Sequence, residues 1–163
     1  MAKMSHIDKQ GRARMVDVGH KPPMHRTAVA RGAFVARPAT LDAVMAGDLP
    51  KGEALAVARV AGIAAAKRTD ELIPLCHSLP LDHVSVDFTR EDPQHLRVTA
   101  SASTTARTGV EMEALTAVAA ACLTLYDMVK GIDKELRIEH IELVKKQKQA
   151  TERVSPEGER RRD

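Results

Sequence analysis

The segment between Gly109 and Gly131 constrains the fold of this chain more than any other. It reads VEMEALTAVAAACLTLYDMVK, and apolar residues recur through it every three to five positions. That spacing predicts one long helix, and a helix this apolar must bury most of its surface against other elements. Gly131 is a typical residue for the C-cap of such a helix.

Four other segments carry the patterns of β-strands. Residues 27–38 (TAVARGAFVARP), 83–91 (HVSVDFTRE) and 95–107 (HLRVTASASTTAR) alternate between two faces. The second and third of these are joined at Asp92–Pro93, which predicts an antiparallel hairpin. Residues 135–146 (ELRIEHIELVKK) predict a last strand, with a bulge at His140.

Two further helices are predicted between the first and second strands. Thr40 is suited to cap a short helix, LDAVMA, that stops at Gly47. Residues 51–68 (KGEALAVARVAGIAAAKR) predict a longer helix with a small-residue face fit for close packing.

The order of these elements predicts an α+β protein. It is the ferredoxin-like β-α-β-β-α-β pattern, a four-stranded antiparallel sheet with helices packed on one face. We expect a mobile N-terminal arm over residues 1–25, a single domain over 26–147 and a disordered charged tail over 148–163.

Composition narrows the class of protein. Hydrophobic residues make up 44% of the 163 residues, but only three are aromatic, so the core must be built from small aliphatic side chains. No apolar run approaches the roughly 18 residues of a membrane span. The polar N-terminus is not a secretory signal, and two cysteines make no disulfide framework, which favours the cytoplasm. The net charge of +3 permits an anionic partner without requiring one.

The stretch LIPLCHSLPL, residues 72–81, is apolar but cannot be regular. Pro74 and Pro80 each remove a backbone donor and restrict the residue before them. Cys76 and His77 lie at its centre. A metal site is disfavoured because neighbouring residues rarely bind one ion together and no second ligand motif completes a site. A Cys-His nucleophile pair is also possible, but neighbours in an extended chain point opposite ways. We therefore interpret the stretch as the wall of a ligand pocket.

Charged residues mark the two ends of the long helix. Glu111 and Glu113 in its first turn are explained either by compensation of the helix dipole or by a site. Asp127 and Lys130 share a face near its end, as a surface ion pair or as a functional pair. A rise of 1.5 Å per residue separates Glu111 from Asp127 by about 24 Å, so they cannot share one small substrate within a single chain.

Basic residues elsewhere leave similar alternatives. Lys51 near a helix start is either a solvated side chain or part of an anion site. Lys67 and Arg68 complement the dipole at the other end of the same helix, and Arg26 on the arm has no structural explanation beyond solubility.

Several of these segments resemble one family. KRTDELIPLCHSLPL, GVEMEALTAV and LYDMVKGID resemble signature segments of the cyclic pyranopterin monophosphate synthases of molybdenum cofactor biosynthesis. GRARMVDVGHKP and LPKGEALAVARVAGI are similar to that family's N-terminal arm and first long helix. The resemblance runs from about residue 5 to 146. After Lys146 it stops, since KKQKQAT stands where the family has a glycine-rich K-S-G-G-K-S-G segment.

The resemblance implies a function and an assembly. The family's fold is ferredoxin-like, and its assembly is a homohexamer, a trimer of dimers with active sites between subunits. Its substrate is the nucleotide (8S)-3′,8-cyclo-7,8-dihydroguanosine 5′-triphosphate, and its products are cyclic pyranopterin monophosphate and diphosphate. The resemblance implies no certain cofactor and assigns no metal ligand. The candidate cofactor is Mg²⁺ bound to the triphosphate. Nucleic acid and membrane partners are not implied.

The resemblance also assigns residues. The catalytic residues fall on Asp127, Lys51 and Lys130. The substrate-binding residues fall on Leu75, Cys76, His77, Met112, Glu113, Glu111, Arg26, Lys67 and Lys146. Ring opening needs proton transfers, for which a buried lysine of lowered pKa beside Asp127 is suitable. Glu113 and the backbone of 75–77 would hold the guanine-derived edge, and the basic residues would hold the triphosphate.

Two other functions fit parts of the sequence. A non-catalytic nucleotide-binding module would use the same basic pocket but would not need Asp127. An RNA-binding module of the same strand order needs aromatic residues on its central strands, where Phe88 is the only one.

Overall fold

The computed structural model describes residues 10–150, and its elements follow the predicted order. They are β1 (Met24–Val35), α1 (Pro38–Ala46), α2 (Ala54–Ala66), α3 (Thr69–Leu72), β2 (His83–Arg90), β3 (His95–Ala106), α4 (Glu111–Val129) and β4 (Arg137–Gln149). The single turn of α3 was not predicted. The first nine residues of the expected arm, and the expected tail from residue 151, lie outside the described residues.

The four strands form one antiparallel sheet in the order β2-β3-β1-β4. This is the ferredoxin-like α+β fold that the sequence predicts. Ala28, Ala30 and Phe34 of β1 are fully buried and face the helices, since every second residue of a strand lies on the same face. The core therefore lies between one face of the sheet and helices α2 and α4.

Helix α4 is the central helix of this core. The expectation that no apolar stretch approaches the length of a membrane span is wrong for this helix, whose apolar stretch has a mean hydropathy of 1.4. Of that stretch, 44% is buried inside the fold. Val118, Cys122 and Leu125 are fully buried. Helix α4 is thus the core helix that its apolar spacing predicts, but less than half of its apolar stretch, and not most of its surface, is buried in this chain.

Helices α2 and α4 pack closely and run antiparallel. A Cβ atom added to Gly62 would lie 2.8 Å from the carbonyl oxygen of Ala117, a distance at which one of the two helices must shift. Lys51, just before α2, contacts Asp127 near the end of α4. The end of α2 consequently lies near the start of α4.

Two of the predicted helix caps are wrong and one is confirmed. Thr40 does not cap α1, which begins after Arg37; it is buried inside the helix and donates to Asp133 Oδ2 over 2.8 Å. The C-cap of α4 is Lys130, with φ −56°, and not Gly131. Gly47 ends α1 in the left-handed conformation, φ 72°, as expected.

A carboxylate from a distant loop accepts the hydrogen bonds at the start of α1 instead. The fully buried Asp133 accepts from the backbone N–H groups of Arg37 and Glu135, both over 2.9 Å, and from the hydroxyl of Thr40. Burial alone would raise the pKa of Asp133, but these hydrogen bonds and the nearby Arg37 guanidinium lower it. The loop after α4 is thereby fastened to the first helix.

Strand β4 carries two bulges. The predicted one is confirmed: His140 has φ 53°, and the pairing with β1 shifts between Arg31 and Ala33. A second shift, between Val29 and Ala30, leaves Val144 without a partner in β1. Each bulge reverses which face the following side chains occupy. Strand β4 then continues as far as Gln149, which pairs with the start of β1.

Candidate active site

All but one of the residues assigned by resemblance gather at the two ends of helix α4. One group surrounds Asp127 near its C-terminus, and the other surrounds Glu111 and Glu113 at its N-terminus. The helix geometry keeps the two groups about 24 Å apart in the chain.

At the C-terminal end, Asp127 lies between two lysines from different segments. Lys130 Nζ lies 2.5 Å from Asp127 Oδ1, one turn along the same helix. Lys51 Nζ lies 3.1 Å from Oδ2 and also donates to the backbone carbonyl of Asp127 over 2.9 Å. One carboxylate is thus shared by two ammonium groups, a set of groups able to pass a proton in either direction.

This end of the helix is open to solvent. The side chains of Lys51, Asp127 and Lys130 are 50%, 58% and 57% exposed. Hydrogen bonds from Lys130 and then Lys51 lower the pKa of Asp127, and the same carboxylate raises the pKa of Lys130. The expected buried lysine of lowered pKa is therefore wrong for Lys130 in this chain, because its ammonium is exposed and paired with a carboxylate.

At the N-terminal end, the irregular stretch after α3 forms one wall of a cleft of about 340 Å³. Residues assigned by resemblance line it: Leu75, Cys76, His77, Glu111 and Met112. Ile73, Leu79, Thr108 and Gly109, to which sequence reasoning assigned no role, complete the lining. The two prolines keep this segment out of regular structure, which lets the consecutive residues Leu75, Cys76 and His77 line the same cleft.

Glu113 lies behind this wall. It is only 2% exposed, its Oε1 accepts from the Cys76 thiol over 3.8 Å, and its Oε2 has no hydrogen-bond partner among the described residues. Burial raises the pKa of Glu113. Burial and the neighbouring Glu113 likewise raise the pKa of Cys76. Both groups are thus biased toward their neutral, protonated forms.

His77 is held by the N-terminal arm, a contact that sequence reasoning missed. Its Nε2 lies 2.8 Å from the backbone carbonyl of Val16. A carbonyl oxygen can only accept, so Nε2 carries a hydrogen and, in the neutral ring, Nδ1 is left as an acceptor. No local pattern in the arm could have indicated this contact, because it joins residues 61 positions apart.

A second cleft, of about 310 Å³, adjoins the first and shares Gly109 and Glu111 with it. Arg26 and Lys146, both assigned by resemblance, line it. Lys146 Nζ lies 3.3 Å from Glu111 Oε1, and Arg26 donates to the carbonyls of Ala106 and Arg107 over 3.0 and 3.2 Å. Lys148 also lines it and was not singled out by the sequence.

Lys67 is the residue that the structure leaves apart. It is exposed at the C-cap of α2 and lines a shallow surface depression with Val60 and Ile63, not either cleft. Within residues 10–150, no three His, Cys, Asp or Glu side chains converge in a way that could hold a metal ion.

Comparison with known proteins identifies relatives over nearly the whole domain. A model described as the MoaC family matches residues 15–149. A cyclic pyranopterin monophosphate synthase of Thermomicrobium roseum is 58% identical over 147 residues, covering 90% of this chain and 89% of that protein. Similar proteins of the same name from Chloroflexus aggregans and Novosphingobium aromaticivorans are each 57% identical, over 88% and 90% of this chain and 88% and 92% of their own lengths.

Proposed function

Because the chain belongs to the MoaC family, we propose that it is a cyclic pyranopterin monophosphate synthase. It is a lyase of molybdenum cofactor biosynthesis that converts (8S)-3′,8-cyclo-7,8-dihydroguanosine 5′-triphosphate to cyclic pyranopterin monophosphate and diphosphate. The observation that carries this function is the Lys51–Asp127–Lys130 cluster, in which one carboxylate is held between two lysines from different segments.

The reaction needs groups that both give and take protons. Opening the five-membered ring by hydrolysis, building the pyranopterin and closing the cyclic phosphate each move protons between substrate atoms and solvent. Asp127 and Lys130, in contact over 2.5 Å, supply a base and an acid for ring opening. Lys51 is the second acid or base, since it reaches the same carboxylate from another segment.

The other end of α4 supports recognition of the substrate. The cleft of Leu75, Cys76 and His77 offers backbone groups and the His77 ring to the guanine-derived part. Its apolar members exclude water from that face. The adjoining basic cleft with Arg26 and Lys146 is suited to phosphates, because arginine and lysine neutralise their charge and donate hydrogen bonds to their oxygens.

We propose that the active enzyme is a homohexamer, a trimer of dimers, in which one chain's Asp127 cluster meets a neighbour's Glu111 clefts. Within one chain these two groups lie about 24 Å apart, a distance that one small substrate cannot span, and this separation supports a site shared between subunits. Large apolar side chains left exposed on the outer faces of α2 and α4, among them Val60 (68%) and Leu123 (62%), support it further.

We also propose that the protein is cytoplasmic and that any Mg²⁺ in the reaction is bound by the substrate. Cys76 and Cys122 are free thiols, which suits a reducing cytoplasm. Because no three metal-ligating side chains converge within residues 10–150, Mg²⁺ would arrive on the substrate's own phosphates.

The deciding experiment is incubation of the purified protein with the cyclised GTP intermediate, followed by mass detection of the cyclic phosphate and of diphosphate. Both products should appear in equal amounts, and sedimentation should report a hexamer. A folded hexamer that forms neither product would overturn the proposal.

The same assay separates the enzyme from a nucleotide-binding module. Asp127→Asn should retain substrate binding and lose product if the protein is the lyase. A non-catalytic module would bind the intermediate without converting it, whether or not Asp127 is present.

A further inference from the structure

We propose that Lys148 is a further substrate-binding residue, and that it contacts the polyphosphate end of the ligand. This inference rests on the proposed function and extends it to a residue outside the assigned set. It depends on where strand β4 places its last residues.

The bulge at Val144 decides which lysines of β4 face the helices. Ala28 of β1 faces the core, and its partner Lys146 therefore lies on the same side of the sheet, where it contacts Glu111 at the start of α4. Lys148 pairs with Arg26, two residues further, so it too lies on the helix side. Lys145 pairs with Val29 and lies on the opposite face.

Three basic side chains thereby converge at one cleft. Arg26, Lys146 and Lys148 all line it, with Glu111 as its only acidic lining residue in the described part of the chain. Lys146 is paired with that carboxylate, and Arg26 donates two hydrogen bonds to backbone carbonyls. The ammonium of Lys148 has no acceptor within residues 10–150, and it is exposed to whatever enters the cleft.

The ligand that this cleft fits is a polyphosphate. Its net charge is positive, and Gly109, Val110 and Glu111 at the start of α4 line it. The N–H groups of a first helical turn have no partner within the helix, and together with the helix dipole they favour an anion. Gly109 and Glu111 are shared with the Cys76 cleft, so a single molecule can place an organic part in one cleft and phosphates in the other.

The test compares two lysines on one strand. Inorganic triphosphate is titrated calorimetrically into the full-length protein, Lys148→Gln and Lys145→Gln. Both substitutions remove one positive charge three residues apart, but only Lys148 faces the cleft. We expect Lys148→Gln to weaken binding about tenfold, as for the loss of a charged hydrogen-bond donor, and Lys145→Gln to stay within about twofold.

Three outcomes would overturn the inference. They are equal weakening by both variants, which would indicate a general charge effect, no weakening by Lys148→Gln, and no triphosphate binding by the unaltered protein. Unfolding temperature and oligomer size are measured for each variant, so that weaker binding is ascribed to the missing lysine only in a variant that folds and assembles like the unaltered protein.

Turnover separates this inference from the proposed function. If product forms and Lys148→Gln leaves KM unchanged, the inference fails while the enzyme stands. If no protein forms product but triphosphate binding still depends on Lys148, the proposed function fails while the anion site stands.

Discussion

The two ends of helix α4 differ in how much of their surroundings the chain itself supplies. At the N-terminal end, Glu113 is 2% exposed and is enclosed by its own fold, with Cys76 against one oxygen. At the C-terminal end, Asp127 is 58% exposed and is surrounded by lysines and solvent. Accordingly the pKa of Glu113 is raised by burial, whereas the pKa of Asp127 is lowered by its hydrogen bonds to lysines.

The difference indicates which end is complete. The buried end has its polar groups oriented by packing before any ligand arrives. In the proposed function, a substrate or a neighbouring chain completes the environment of the exposed end, because proton transfer is most effective when the pKa values of acid and base lie near the working pH. Four experiments test this contrast, beginning with the largest effect expected.

Asp127→Asn should reduce product formation by on the order of 10²–10⁴-fold, since the carboxylate between the two lysines is lost. The unfolding temperature should stay close to that of the unaltered protein, because the side chain is exposed. Asp87→Asn, on the exposed surface of β2, is the matched control and should retain activity. Full turnover by the Asp127→Asn variant would remove Asp127 from the chemistry.

Gly62→Ala should destabilise the protein by about 1–3 kcal/mol, because the added Cβ would lie 2.8 Å from the Ala117 carbonyl and force α2 away from α4. Urea unfolding measures the change. Turnover should fall as well, since α2 follows the segment that brings Lys51 to Asp127.

Helix propensity alone predicts the opposite sign for this change. Ala64→Gly, at an exposed position of α2, serves as the control and should cost about 1 kcal/mol. If Gly62→Ala stabilised the protein by a similar amount, the close contact between the two helices would be refuted.

Glu113→Gln and Asp127→Asn should change the pH dependence of stability in opposite directions. A folded-state pKa raised above its ordinary 4.5 means that Glu113 favours folding at low pH and that this contribution is lost as pH rises through the folded value. The stability of Glu113→Gln relative to the unaltered protein should therefore improve as pH rises above about 4.5 and through the folded-state pKa.

Asp127 has the reverse sign. Its pKa is lowered below 3.8, so its contribution is present above that value and is lost as pH falls through the folded one. The stability of Asp127→Asn relative to the unaltered protein should therefore increase only at the acid end of the pH range. Chemical denaturation across the pH range distinguishes the two trends, and parallel trends would contradict the contrast between the ends.

Cys76 should react slowly with iodoacetamide near neutral pH, because burial and Glu113 raise its pKa and leave little thiolate. Glu113→Gln removes the carboxyl group whose charge and hydrogen bond raise that pKa, and it should speed the reaction about two- to fivefold. Cys122, whose pKa burial raises to about 12, is the internal reference and should stay unmodified in the folded protein. Mass spectrometry follows both sites, and an unchanged Cys76 rate would show that Glu113 does not act on the thiol.

Local pattern predicted most of the fold. The period of the α4 segment, the alternation in the strands and the Asp92–Pro93 turn each act within a few residues, and the order of elements then admits few sheet topologies. The errors at Thr40 and Gly131 were errors of capping. Asp133, over ninety residues away, satisfies the start of α1, which a local search for a capping side chain cannot detect.

The candidate site divides in the same way. Signature segments indicated Asp127, Lys51 and the 75–77 wall, and the helix rise alone separated the two groups by about 24 Å. The contact of Val16 with His77 and the placing of Lys148 in a cleft could not be predicted, since each depends on how distant segments meet.

By itself, the sequence determined the kinds and order of the elements and the chemical groups at each end of α4, because periodicity, turn chemistry and residue type are local properties. Only the tertiary structure decided that Glu113 is desolvated while Asp127 is exposed, and that the second bulge turns Lys146 and Lys148, not Lys145, toward the helices. Burial and strand register are set by contacts between segments far apart in the chain, and a one-residue shift in register exchanges the two faces of a strand.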